Sequence, residues 1–364
     1  MDKRKEFASV HGLRGVAALV VVLFHLHGFE AKVDHASAML PAWIRFGYSG
    51  VDLFFVISGF VMVTIAAGRY RSPRTALTFL ARRAWRVLPP YWLLTALVAL
   101  WSAFWALRNP ALNPAVDTQL LVTSFRLWPP GAALVLPAGW TLIHEGYFYL
   151  VMAAAICWLP ERWLPGYLMG WAVAVGIANG HATQPLPWLY LTSSLLTWEF
   201  IAGGLIGRYW HRLPAQAGLP VLLVGMALFA GAVVGLNAAG WEGHGESHRV
   251  PLFGTASALI VLGAVRLESS RPVRLPAWLS AVGDSSYSLY LSHFFVISIA
   301  TTLWSKTALL HTPTGHMFYL CATVLACLLV GWGLYCAMER PLQRYGRSIL
   351  RSRQGSAQTM IKAT

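Results

Sequence analysis

Residues 11–29 read HGLRGVAALVVVLFHLHGF, an apolar run long enough to cross a bilayer that nevertheless contains Arg14 and His25. An ionisable side chain inside a membrane span is costly and is retained where it serves a function. Three helical turns separate the two residues. On an α-helix they therefore share a face, with roughly 16 Å between them along the axis. One face of this first helix carries a cation near one boundary and an imidazole well inside.

The rest of the chain has the same character. Of 364 residues, 57% are hydrophobic and 12% charged, and the mean hydropathy is +0.55. That is too apolar for a water-soluble domain and predicts an all-α, polytopic integral membrane protein. Apolar stretches of about 17 to 25 residues recur about ten times, centred near residues 20, 58, 98, 149, 173, 198, 228, 258, 290 and 327. The stretch 118–137 is ambiguous because of Pro129, Pro130 and Pro137, and fits either an outer loop or a re-entrant segment.

The net charge of +14 is not gathered into one basic patch, so nucleic acid is not an expected partner. The cations instead segregate between alternate loops. One set holds Lys3, Arg4 and Lys5, the arginines from 69 to 86, Arg162, Arg208, Arg212, Arg266, Arg271, Arg274, those from Arg340 onward, and Lys362. The other holds only Lys32, Arg45, Arg108, Arg126, Arg249 and Lys306. This bias places both termini in the cytoplasm. The N-terminus imitates a secretory signal, with Ala36, Ser37 and Ala38 as a cleavage-like site. Arg14 and His25 inside the would-be signal core argue against cleavage. Cys157, Cys321, Cys327 and Cys336 lie in apolar stretches without paired spacing, so neither disulfides nor a metal site are expected. One membrane domain is expected over 1–345, followed by a short basic cytoplasmic tail, 346–364, held near anionic lipid.

Depth along each helix sorts the polar residues. His25, Asp52, Glu145 and His293, from four separate helices, come out at one level in the outer half and predict a buried polar centre. Arg14, Arg82, Arg83, Arg86 and Glu339 fall at the cytoplasmic boundary, and RSPRTALTFLARRAWRVLPPYW (71–92) reads as a basic amphipathic stretch along that surface. Each residue alone has a plainer explanation. Arg14 can snorkel to headgroups, His25 can be a packing histidine, Asp52 can cap a helix, and the Arg82, Arg83 and Arg86 group satisfies the positive-inside bias. Glu145 is harder to dismiss, because a carboxylate in apolar surroundings must be paired, solvated or protonated. The joint arrangement favours function, since all the plain explanations would have to hold together.

The residues also resemble a known family. HGLRGVAALVVVLFH (11–25) is similar to the arginine, ten residues, histidine signature of the acyltransferase family 3 membrane proteins. GYSGVDLFFVISGF (47–60) resembles the family's second-helix motif, and RRAWRVLPPYW (82–92) its basic lead into the third helix. GWTLIHEGYFY (139–149), SYSLYLSH (286–293) and ERPLQRY (339–345) resemble its later motifs, in family order. The resemblance implies transfer of an acyl group, most simply acetyl, from cytoplasmic acyl-coenzyme A to a hydroxyl on an extracytoplasmic polysaccharide, lipid-linked glycan or glycolipid. Arg14, Arg82, Arg83 and Arg86 would hold the donor's phosphates, because guanidinium groups are permanently charged planar donors. The distance from Arg14 to His25 matches an extended pantetheine arm. His25 would then act as general base or as acyl-carrying nucleophile, two alternatives the residues leave open. Asp52 or Glu145 would orient the imidazole. Tyr149 or His293 would donate to the oxyanion, and Trp140, with Tyr147 and Tyr149, would face a sugar.

Other patterns carry less. His144 and Glu145 begin a zinc-protease motif, but Phe148 stands where the second histidine is needed. The outer loop GWEGHGESHRV (240–250), with His244, Glu246 and His248, reads as a hydrated loop in preference to a metal site. A small-molecule acceptor is an alternative within the same enzyme class. A proton-coupled transporter is the alternative outside it, since buried ionisable residues also suit carriers. The oligomeric state is not readable from the sequence.

Overall fold

A computed structural model describes residues 7–33, 39–108, 117–181, 186–241, 243, 245–307 and 312–346. The N-terminal lysines, the cleavage-like Ala36–Ala38, His244 and the tail beyond 346 lie outside these residues. The described chain is helical, with no strand: α1 Ala8–Val33, α2 Gly50–Ala66, α3 Pro73–Arg108, α4 Thr118–Arg126, α5 Gly139–Trp158, α6 Leu164–His181 and α7 Pro187–Thr192. After these come α8 Leu196–Tyr209, α9 Gly218–Ala238, α10 Glu246–Arg249, α11 Thr255–Ser270, α12 Ala277–Trp304 and α13 Pro313–Leu334. Backbone groups in hydrocarbon must bond within their own segment, which is why so apolar a chain resolves into helices.

Eight helical stretches among the described residues are long and apolar enough to cross a membrane. The protein is a multi-pass membrane protein. The apolar stretches centred near 173 and 198 form α6 and α8, of 18 and 14 residues. The ambiguous segment becomes the nine-residue α4, capped by Asp117 accepting from the Leu120 N–H at 2.6 Å. Two aromatic side chains of α3 tie it down, Tyr91 Oη donating to Ser124 O at 3.0 Å and Trp92 Nε1 to Phe125 O at 2.9 Å.

The basic stretch 71–92 does not form a separate surface helix. From Pro73 onward it is the first half of α3, which runs unbroken through Pro89 and Pro90 for 36 residues. An internal proline removes one hydrogen bond, and in a membrane a local adjustment costs less than exposing the whole turn.

The chain divides into two compact units, Met1–Ile65 with Pro165–Trp332, and Ala66–Leu164 with Gly333–Thr364. In the first, α1 packs along α12, and α9 packs antiparallel on α11, with Gly225 beside Ile260 and Gly218 beside Leu267. Ala18, Val22 and Leu26 of α1 form a core with Val282, Leu289 and Ile297 of α12 and Tyr319, Leu320 and Cys327 of α13. In the second unit α3 packs on α5, and Trp85 Nε1 donates to Leu342 O at 2.7 Å.

Helices in lipid gain little from burying apolar surface, so close approach at small residues decides how they pair. Gly15 and Gly283 provide that approach between α1 and α12. A Cβ on Gly283 would sit 2.7 Å from both the Nε2 and the carbonyl oxygen of His11. Gly283→Ala is therefore expected to destabilise by about 1–3 kcal/mol through overpacking. Gly28→Ala, on the same helix α1 but with open space around it, is expected to be neutral or slightly stabilising. Thermal unfolding in detergent compares the two, and equal melting temperatures would disprove the tight crossing.

Candidate active site

The α1–α12 crossing brings two histidines together. Gly15 meets Gly283, and ten residues further along each helix His25 meets His293, so the helices run parallel and in register. His293 Nε2 lies 3.2 Å from His25 Nδ1, with ring centroids 4.8 Å apart. His25 Nδ1 also lies 3.0 Å from the Val21 carbonyl oxygen, and His293 Nδ1 lies 2.6 Å from that of Tyr290. His293 is fully buried and His25 half-buried. Phe24 and Phe294 meet the His25 ring edge-on at 4.8 and 5.6 Å.

One turn beyond His25, Glu30 fixes the end of α1. Its carboxylate, 1% exposed, accepts from the Met39 and Leu40 N–H groups and from His316 Nε2 at 2.7 Å. This buried pair joins α1 to α13. The sequence reading missed both residues, although an ionisable Glu30 within a span was the available signal.

Arg14 lies on α1 as expected, on His25's face and half-buried. Asp52 on α2 is fully buried but makes no hydrogen bond to His25 among the described residues. Its two carboxylate oxygens receive Arg249 Nε at 2.9 and 3.0 Å, and Arg249 also donates to Tyr48 O at 3.4 Å. Arg249 reads in sequence as an outer-loop cation. It is buried instead, at the head of the helical run that continues into α11. Glu199 of α8, 1% exposed, lies within electrostatic reach of Asp52 and Arg249. Neither Arg249 as a partner of Asp52 nor Glu199 was anticipated.

The remaining candidates belong to the second unit. Glu145 and Tyr149, one turn apart on α5, are joined by a Tyr149 Oη to Glu145 Oε1 bond of 2.5 Å. Arg83 is buried, its guanidinium 5.8 Å from the Phe79 ring centroid and 5.9 Å from that of Tyr149. Arg82 is exposed and Arg86 half-buried. Trp140 is half-buried, edge-on to His144 at 5.4 Å. In the loop considered for metal, Glu246 accepts from Ser194 Oγ at 3.0 Å and the Leu195 N–H at 2.7 Å, and His248 packs against Trp241.

A membrane helix carrying a guanidinium and, three turns on, an imidazole held by a second imidazole is an arrangement suited to anion binding and proton transfer. The family model described as an acyltransferase domain matches residues 7–332. The chain belongs to the acyltransferase family 3 proteins. It is 32% identical over 321 residues to the exopolysaccharide production protein ExoZ of Rhizobium meliloti, covering 86% of this chain and 95% of that one. It is 22% identical over 346 residues to the peptidoglycan O-acetyltransferase OatA of Listeria monocytogenes, covering 84% of this chain and 51% of the relative. No solved structure matches the chain. Membership makes this member an acyltransferase and disposes of the transporter reading.

Proposed function

We propose that this acyltransferase moves an acetyl group from cytoplasmic acetyl-coenzyme A to a hydroxyl of an extracytoplasmic polysaccharide, lipid-linked glycan or glycolipid, in a bacterial-type inner membrane. The observation that carries the chemistry is the half-buried His25 on the Arg14 face of α1, with Nδ1 engaged at 3.0 Å by a backbone carbonyl. A carbonyl oxygen only accepts, so Nδ1 bears hydrogen and Nε2 is the basic nitrogen. That nitrogen takes the proton of the attacking hydroxyl as the thioester is cleaved, and the thiolate leaves as coenzyme A. The acceptor class is supported by the exopolysaccharide and peptidoglycan relatives.

Arg14 takes the donor's phosphates, with its guanidinium at the right axial spacing from His25. Arg82 and Arg86, on α3 of the second unit, are proposed as phosphate-binding groups from their charge alone. Arg83, enclosed by Phe79 and Tyr149, acts within its own unit by holding the Glu145–Tyr149 pair. Glu145, Tyr149 and Trp140 are assigned to the acceptor. Asp52 acts through Arg249, by fixing α2 to α10 at the head of the helical run into α11.

The test is release of coenzyme A thiol by the purified protein in proteoliposomes, given acetyl-coenzyme A and a glycan acceptor. Mass spectrometry of surface glycans from cells with and without the protein identifies the acceptor. Arg14→Ala is expected to raise KM for the donor about tenfold or more, with KM for the acceptor little changed. The opposite pattern would reverse the orientation proposed for the donor.

A further inference from the structure

His293 has no hydrogen left for a substrate. Its Nδ1 faces the Tyr290 carbonyl at 2.6 Å and must carry the proton of that bond. Its Nε2 faces His25 Nδ1 at 3.2 Å, and His25 Nδ1 already bears hydrogen, because it also meets the Val21 carbonyl at 3.0 Å. A proton on His293 Nε2 would set donor against donor at a fully buried ring. The consistent assignment is a neutral His293 whose Nε2 lone pair accepts from His25, which shares one N–H between two acceptors.

We propose that His293 is a positioning residue that holds His25 as its Nδ1–H form, so that the lone pair at Nε2 is turned to the reacting groups. This rests on the reading of His25 as the base, and deepens it. As Nε2 gains a proton from the hydroxyl, the His25 N–H at Nδ1 keeps both acceptors, and the imidazolium is stabilised where it forms. The carboxylate of a serine–histidine–aspartate triad does the same through charge. Here a neutral imidazole and a carbonyl do it, and they suit an apolar interior because they bury no anion. The parallel register set by Gly15 and Gly283 aligns the two rings. An oxyanion donor must therefore come from elsewhere.

Two measurements test this. In histidine-¹⁵N-labelled protein in nanodiscs, the His25 signals, assigned by their loss in His25→Ala, are expected to show a protonated Nδ1 and a bare Nε2. A protonated Nε2 with a bare Nδ1 would overturn the inference without turnover being measured at all. The second measurement separates two isosteres. His293→Gln places an amide oxygen where Nε2 stood and is expected to keep kcat within about threefold. His293→Asn retains the donor to Tyr290 but is too short to reach His25, and is expected to lower kcat about tenfold or more at unchanged KM for the donor. Equal losses in the two variants would reduce His293 to packing. If His25→Ala retained the wild-type rate, the reading of His25 as base would fall, whereas the ¹⁵N result would still stand or fall by itself.

Discussion

Replacing His25 with alanine is expected to lower kcat by about 10²–10⁴-fold, the range a positioned general base contributes. The folded protein should survive the change. His25 is half-buried, and its truncation leaves His293 with a satisfied Nδ1 and only its Nε2 acceptor unpaired. KM for the donor should move little, because Arg14 and the rest of α1 are untouched. Thiol release followed against acetyl-coenzyme A concentration, with a thermal melt alongside, reads both quantities. A rate within a few-fold of wild type at unchanged stability would remove His25 from the chemistry. Intact mass of the wild type given donor alone bears on the second alternative, since stable acetylation at His25 would make the imidazole a nucleophile rather than a base.

The largest effect on stability is expected at Arg249. Its guanidinium is the counter-charge of Asp52, 8% and 0% of the two side chains being exposed, with Glu199 nearby. Arg249→Leu leaves the buried Asp52 carboxylate without its cation, and removing one partner of a buried pair costs about 3–5 kcal/mol. Asp52→Leu leaves the cation with Glu199 as its remaining acidic neighbour and should cost less. The double replacement Asp52→Leu/Arg249→Leu should be less damaging than the sum of the two, because neither charge is then stranded. Melting temperatures of the three variants in detergent decide this. Additive losses would show that the pair is not a coupled unit. Activity in the double variant separates the two roles considered for Asp52: an unchanged kcat in the folded fraction fits anchoring of α2 to α10, whereas a loss comparable to His25→Ala would restore it to the chemistry.

The membrane-spanning character was legible because it is a local property. A window of about twenty apolar residues has to be a span, whatever the rest of the chain does. The same holds for Arg14 and His25, whose shared face follows from helical geometry on one unbroken α1. Boundaries were less legible where the composition is mixed. The 71–92 stretch has the charge pattern of a surface helix, yet continuity of backbone hydrogen bonding joined it to α3. The nine-residue α4 was unreadable because Pro129, Pro130 and Pro137 follow it closely, and its place is set by Tyr91 and Trp92 of α3.

The sequence by itself determined an all-helical membrane acyltransferase and the placing of a guanidinium and an imidazole on one face of α1. The tertiary structure decided which of the polar residues meet. His25 found His293 rather than Asp52, Asp52 found Arg249, and Glu30 found His316. Depth is set by counting residues from a helix end, a one-dimensional quantity. The rotation of one helix against another depends on where small side chains let backbones approach, as Gly15 and Gly283 do, and such contacts join residues hundreds of positions apart that share no local pattern.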